Sequence, residues 1–351
     1  MFVGTYTGPT SQGIYAFRFD DSTGALTPLG LAAATPNPSF LAVSPDRRVL
    51  FAVNEISSFG GERSGSVRSY RIDSAIGKLS EISVQSTQGA DPCHLAIDAT
   101  GRVLAVANYT GGNFVLLPVE IGRLSPPMAI FAGAGSGPNK ARQNGPHAHA
   151  VVFDPANRFL IGADLGIDRL MVYRLDPSAS DPQPTPAPAS VSVAPGAGPR
   201  HFAFHPNGRL AFSINELDST VTSFSWDQTA GVLTRGTSIS TLPAEAPASN
   251  STAEIAVHPN GRFLYGSNRG HDSIVAFSIA PDGTLTPIEH EPTRGQTPRN
   301  FTIDPTGRWL IAANQRSGTL AVFSIDQKTG ALSAIGPLVS VGSPVCIIFV
   351  E

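Results

Sequence analysis

PRHFAFHPNGRLAFSINE, residues 199–216, decides the fold, because relatives of this stretch return along the whole chain. They read PSFLAVSPDRRVLFAVNE from Pro38, PCHLAIDATGRVLAVANY from Pro92, AHAVVFDPANRFLIGADL from Ala148, TAEIAVHPNGRFLYGSNR from Thr252 and PRNFTIDPTGRWLIAANQ from Pro298, with a half copy, PVCIIFVE, from Pro344. Successive starts lie 46 to 56 residues apart, the length of a four-stranded propeller blade, and seven starts predict seven blades. Within a copy, the apolar run His201 to His205, the turn Pro206-Asn207-Gly208-Arg209 and the run Leu210 to Ile214 read as a β-hairpin. Thr220 to Trp226 supplies a third strand, and a fourth starts near Leu233. The fold expected is all-β.

Outward from this stretch, the two ends of the chain are complementary. Phe2 to Tyr6 resembles the second strand of a copy with no first strand before it, and Pro344 to Glu351 supplies a first strand with no second. Pairing Phe2 to Tyr6 with Val345 to Val350 would close the ring and cover both sheet edges. One domain spanning residues 1–351 is expected.

Charged residues are 15%, net charge is −3, and Gly and Pro number 35 and 30. That balance suits a turn-rich β-protein and argues against a nucleic-acid partner, since no basic tract is present. No apolar run of membrane-spanning length occurs, so no membrane partner is expected. Cys93 and Cys346 make neither a zinc spacing nor a disulfide framework. The expected state is a cytoplasmic monomer, with a periplasmic or secreted location the alternative if a leader preceded the first strand.

A hairpin places the start of its first strand beside the end of its second, so one rim of the ring gathers Pro199-Arg200-His201 and Asn215-Glu216 with their equivalents. Asn54, Asn108, Asp164, Asn215, Asn268 and Asn314 repeat too regularly for a single catalytic group and read as loop caps; Asn108 and Asp164 are also carried as candidate substrate contacts. The following residue varies: Glu55, Tyr109, Leu165, Glu216, Arg269, Gln315. Across the hairpin stand Ser39, Cys93, His149, Arg200, Ala253, Arg299 and Val345, followed by Phe40, His94, Ala150, His201, Glu254, Asn300 and Cys346. Ionisable groups in non-repeating places are what a built site looks like. His205 and His258, by contrast, occupy turn positions on the other face, and Arg48, Arg102, Arg158, Arg209, Arg262 and Arg308 recur in the same turn, as scaffold does.

NGPHAHAVVFDP, GAGPRHFAFHPNGR, SINELDSTV, GSNRGHDSIVAFSI and QTPRNFTIDPTGRWLIAANQ together resemble the seven-bladed propeller lactonase family, which includes a bacterial type of 6-phosphogluconolactonase and the fungal carboxy-cis,cis-muconate cyclase. The resemblance runs from Phe2 to Glu351. It implies that the histidine of HAH, the arginine of GPR, the glutamate of NEL and the arginine of SNR, here His149, Arg200, Glu216 and Arg269, line the active site. Hydrolysis of a sugar-acid lactone follows as the expected activity, with 6-phosphogluconolactone the leading substrate and no cofactor or metal. A lactonizing cyclase and a non-catalytic binding platform are the alternatives.

These residue types suit that chemistry. An imidazole titrating near neutrality can take a proton from water and return it to the leaving ring oxygen. Arginines can stabilise the oxyanion and hold a carboxylate or phosphate, and Glu216 can orient the water or the imidazole, or act as base itself. His94, His147, His201, Glu55, Arg299 and Gln315 complete the expected substrate contacts. As rim residues, His149, Glu216 and Arg269 should tolerate substitution without loss of thermal stability. The stretches 57–66, 133–146 and 243–251 are expected over the mouth, and 177–189 on the opposite face.

Overall fold

The computed structural model describes residues 1–179, 182–186, 190–246 and 249–350. Seven antiparallel sheets, one per repeat, stand around an axis. Blade 4 is representative, with strands Pro199–Phe204, Leu210–Asn215, Thr220–Asp227 and Val232–Ser240 in spatial order. Blades 1, 2, 3, 5 and 6 begin at Leu41, Pro92, Ala148, Ser251 and Pro298. In blades 2 and 3 the outermost strand is broken into two short pieces. The one helical element is a single 3-10 turn, Leu165–Ile167, among the described residues.

Blade 7 closes the ring as the half copies require. Phe2–Thr5 pairs with Pro344–Ile348 on one side and with Gly13–Asp20 on the other, in register Phe2 to Ile348 and Val3 to Ile347. The apolar core lies between the blades. Each of its seven clusters, among the described residues, joins two neighbours: Phe159, Ile161 and Leu170 of blade 3 meet Phe202, Phe224 and Trp226 of blade 4, and Val3 and Ile347 of blade 7 meet Ile311 and Val322 of blade 6. Second strands such as Leu210–Asn215 are buried at every position because both faces are covered, whereas fourth strands such as Val232–Ser240 are mostly exposed.

The turn face is laced from blade to blade. The third turn position is left-handed in six copies, met by Gly101, Gly208, Gly261 and Gly307 and by Arg47 and Asn157. The turn histidines bridge neighbours: His205 Nε2 lies 2.7 Å from the Gly261 carbonyl, and His258 Nε2 2.7 Å from that of Gly307. Arg102, Arg158 and Arg262 donate to carbonyls of the next blade at Ser178, Gln228 and Lys328, and Arg308 stands 3.4 Å from Asp21. These are the scaffold roles that recurrence predicts.

At the other rim, one deviation repeats. In blades 2, 3, 4 and 6 the register slips at the second residue of the first strand, so that Pro199 faces Asn215 and His201 faces Ile214 with Arg200 extra between them. Blades 5 and 7 slip near Ala253 and Val345. Such a bulge breaks the alternation of side chains and re-aims the extra residue. Cys93, His149, Arg200 and Arg299 occupy it, which is why neighbouring residues such as Arg200 and His201 can both serve the mouth.

Candidate active site

Glu216 is the hub. It directly follows the second strand of blade 4, and its amide is held by the Gly198 carbonyl at 2.7 Å. Its side chain is about 6% exposed and meets three guanidinium groups: Arg142 Nη2 donates to Oε1 at 2.6 Å, Arg200 Nε to Oε2 at 3.0 Å, and Arg269 Nη2 to Oε2 at 2.9 Å. Burial alone would raise the carboxyl, but Arg269, Arg200 and Arg142 overcome it and hold Glu216 at about 2. Both oxygens of this carboxylate are engaged by guanidinium groups. Its contribution is to position the arginines.

Each inner arginine keeps nitrogen in reserve. Arg200 directs Nη1 to the Ala253 carbonyl at 2.8 Å and to His201 Nε2 at 3.1 Å, leaving Nη2 uncommitted. Arg269 directs Nη2 to both Glu216 and the Thr252 carbonyl, leaving Nη1 uncommitted and its buried Nε without a partner among the described residues. Burial lowers Arg269 to about 9, Glu216 opposing the fall, and it lowers Arg200 in the same direction. Both remain cationic at neutral pH.

His149 lies beside this cluster, 4% exposed, with Nε2 3.9 Å from Glu216 Oε2. That distance is too long for a hydrogen bond. The ring's other nitrogen, Nδ1, has only the Cys93 Sγ at 3.8 Å among the described residues, and Tyr109 meets the ring edge to face at 5.5 Å. Burial, then Arg200, His201 and Arg299, hold the imidazole well below its usual range. His149 is therefore neutral, with Nε2 free to accept a proton.

His94 and His201 form an aromatic floor. His94 stacks on Phe40 at 4.1 Å and accepts the Val151 amide through Nδ1, and its ring meets His201 at 5.1 Å. His201 Nε2 accepts from Arg200, so Nδ1 carries the proton and donates to Glu254 Oε1 at 2.8 Å. Glu254 also accepts from Asn300 and from the Ile255 amide. Burial raises Glu254 to about 7, its hydrogen bond from Ile255 and the charge of Arg200 resisting.

The other expected contacts meet the following neighbours. Asn108 and Asp164 are fully buried caps: Asn108 donates to the Thr87 carbonyl at 2.9 Å, and Asp164 accepts the His147 and Gly166 amides at 2.8 and 2.9 Å. Each side chain thus holds its loop, while Asn108 Oδ1 and Asp164 Oδ2 have no hydrogen-bond partner among the described residues. His147 stacks on Tyr109 at 4.7 Å, with Nδ1 near the Tyr109 carbonyl and Nε2 near Asn144, and so secures a loop. Glu55 accepts from the Tyr6 hydroxyl. Arg299 lies over the Tyr6 ring at 5.3 Å. Gln315 borders a groove between blades 6 and 7 with Thr10 and Tyr15. A concavity of about 1000 Å³ on the turn face, bordered by Phe51, Arg71 and Val103, carries none of these groups.

Arg142 is the participant that reading the repeats misses, since it belongs to no copy. It arrives on the stretch 133–146, and Nη2 also donates to the Tyr109 hydroxyl at 3.1 Å. Buried Gln143 seats that stretch, donating to the Leu165 carbonyl and to Asp168 at 2.9 and 2.7 Å. Gly166 permits the approach, because a Cβ there would stand 1.9 Å from the Gly145 carbonyl oxygen. Of the other expected loops, 57–66 follows Glu55 at this rim; within 243–251 and 177–189, residues 247–248, 180–181 and 187–189 lie outside the described residues. Among the described residues, no three His, Cys, Asp or Glu side chains are placed to hold a metal ion, and no helix is long and apolar enough to cross a membrane.

Comparison with known proteins places this geometry. Residues 1–349 match the family model described as lactonase, 7-bladed beta-propeller. The 6-phosphogluconolactonase of Bacillus subtilis is 36% identical over 352 residues, covering 100% of this chain and 98% of that protein. The 6-phosphogluconolactonase of Formosa agariphila is 36% identical over 344 residues, 95% of each chain. The solved periplasmic gluconolactonase of Pseudomonas aeruginosa superposes with a TM-score of 0.91 at 36% identity, covering 100% of this chain and 98% of that one.

Proposed function

Since this chain belongs to the seven-bladed β-propeller lactonase family, we propose that it hydrolyses a sugar-acid lactone, with 6-phosphogluconolactone as substrate and 6-phosphogluconate as product. The observation that carries the reading is a neutral, unanchored His149 beside two arginines that one ionised glutamate fixes in place. His149 Nε2 takes a proton from water as the oxygen attacks the lactone carbonyl. Negative charge then grows on the carbonyl oxygen, where the uncommitted ends of Arg200 and Arg269 stabilise it. Collapse breaks the bond to the ring oxygen, which leaves with the proton that His149 carries, and the imidazole is neutral again. Glu216 stays ionised throughout as the positioning group.

The reading includes one domain acting as a monomer. Its compartment is the cytoplasm, with the periplasm, named for the Pseudomonas relative, as the alternative. A pH-stat assay over glucono-1,5-lactone, galactonolactone, 6-phosphogluconolactone and carboxymuconate tests the activity. Acceleration of 6-phosphogluconolactone opening above the spontaneous rate, lost in His149→Ala, is expected. Failure to accelerate any lactone, or cyclisation of carboxymuconate alone, would overturn it.

A further inference from the structure

Four arginines stand at the mouth, and three of them grip Glu216. Arg299 does not. It occupies the bulge of blade 6, between the Pro298–Asn314 and Asn300–Ala313 pairs, and is partly open to solvent. Its guanidinium lies over the face of Tyr6, at 5.3 Å. No hydrogen bond or ion pair of its guanidinium is formed among the described residues, although every other charged group of the mouth has a partner. Tyr6 is itself fixed, its hydroxyl donating to both oxygens of Glu55 at 2.9 and 2.8 Å. That bond leaves Glu55 engaged with Tyr6, and stacking leaves all five guanidinium N–H groups available in the ring plane.

Its position is central. The Arg299 charge acts on His149 of blade 3, on Arg200 and His201 of blade 4 and on Arg269 of blade 5. It is acted on in turn by Tyr6, Glu55, Glu216 and Cys93, from blades 7, 1, 4 and 2. A cation reached from every other blade lies toward the axis, on the same rim as His149. The mouth therefore holds four guanidinium groups against the carboxyls of Glu55, Glu216 and Glu254, and Glu254 is raised to about 7, so it carries less than a full charge at neutral pH. An incoming anion completes this arrangement.

We propose that Arg299 is the subsite for the phosphate monoester of the substrate, the forked guanidinium bonding phosphate oxygens while the lactone carbonyl faces His149. This rests on the lactonase reading and deepens it. Arg200 and Arg269, which residue type alone nominates for the same anion, are held to Glu216 and serve the carbonyl instead. A compact ammonium reproduces the charge and not the fork.

The experiment compares wild type, Arg299→Met and Arg299→Lys on 6-phosphogluconolactone and glucono-1,5-lactone, with calorimetric titration of inorganic phosphate into each protein. In Arg299→Met the ratio of kcat/KM for the phosphorylated over the neutral lactone falls on the order of a hundredfold, carried by KM, and phosphate binding is lost. Arg299→Lys recovers part of both. An unchanged ratio, or a loss carried by kcat on both lactones alike, overturns the subsite and leaves the lactonase reading standing. If wild type opens no lactone, that reading fails by itself, and the phosphate titration still decides whether Arg299 binds the anion.

Discussion

Glu216 and His149 lie 3.9 Å apart, and substitution separates their roles. The rim position read from the repeats suggests that either could be changed without loss of stability. The structure revises this, because Glu216 is a buried anion among three cations. Glu216→Gln leaves those guanidinium groups without a counter-charge and should cost about 3 kcal/mol as well as turnover. The His149 ring nitrogens make no contact shorter than the 3.8 Å from Nδ1 to the Cys93 Sγ among the described residues, so His149→Ala should lower kcat by roughly a hundredfold or more while the midpoint of thermal unfolding falls far less than in Glu216→Gln. Parallel melting curves and initial rates check both. Equal destabilisation would mean that His149 is structural. Residue types at the mouth were legible in the repeats because they break the pattern. The pairing of Glu216 with Arg200 and Arg269 was not, since spacing along the chain carries no side-chain distances.

At the scale of the element, two features shape the mouth. One is the bulge at the first strand of blades 2 to 7, visible in sequence only as neighbouring polar residues that alternation would send to opposite faces. The other is the 133–146 stretch, whose lack of a repeat hides Arg142. Its seat and its reach are separable. Arg142→Ala removes one of three partners of Glu216 and leaves Gln143 in place, so unfolding should shift by less than about 1 kcal/mol while KM rises. Gln143→Ala takes one of three donors from the Asp168 carboxylate and a donor from the Leu165 carbonyl, and should cost about 1–3 kcal/mol. Proteolysis within 133–146 should quicken in the second variant alone. Faster cleavage in Arg142→Ala alone would show that Arg142, and not Gln143, holds the stretch.

For the whole molecule, the apolar face of each blade is buried only by its neighbours. This is why the number of repeats fixed the number of blades before any contact was known. Deleting residues 344–351 strips a strand from Phe2–Thr5 and opens the clusters on either side of blade 7. Aggregation on size-exclusion chromatography is expected, and a soluble truncated protein with unchanged unfolding would refute closure. Acid sensitivity is a second global property. His94, His149 and His201 are all held below the usual histidine range by burial, so the unfolded chain binds three more protons below about pH 6.5. Glu254, raised to about 7, and Asp164, raised to about 6, act oppositely, since the folded state keeps their protons where the unfolded state has released them. For these five groups the balance is roughly one proton, and stability should fall by about 1.4 kcal/mol per pH unit from pH 6.5 to 5. Below the usual glutamate range Glu216 adds to the loss, because its folded value of about 2 keeps it ionised after the unfolded carboxyl is protonated. Urea midpoints across this range test the slope, and a flat profile would show that the histidines are charged in the folded state.

The strand exchange of blade 7 also sets an order of events during synthesis. Phe2–Thr5 leaves the ribosome before the other strands of the ring, yet one of its two partners, Pro344–Ile348, follows all of them. At typical elongation rates of about 5–20 residues per second, the early strand waits on the order of tens of seconds with one edge unpaired. Blades 1 to 6 can meanwhile stack in sequence, each on the one before it. The nascent ring thus persists as an open arc, the interval in which a holdase has most to protect, and it becomes a closed enzyme only when the final strand arrives.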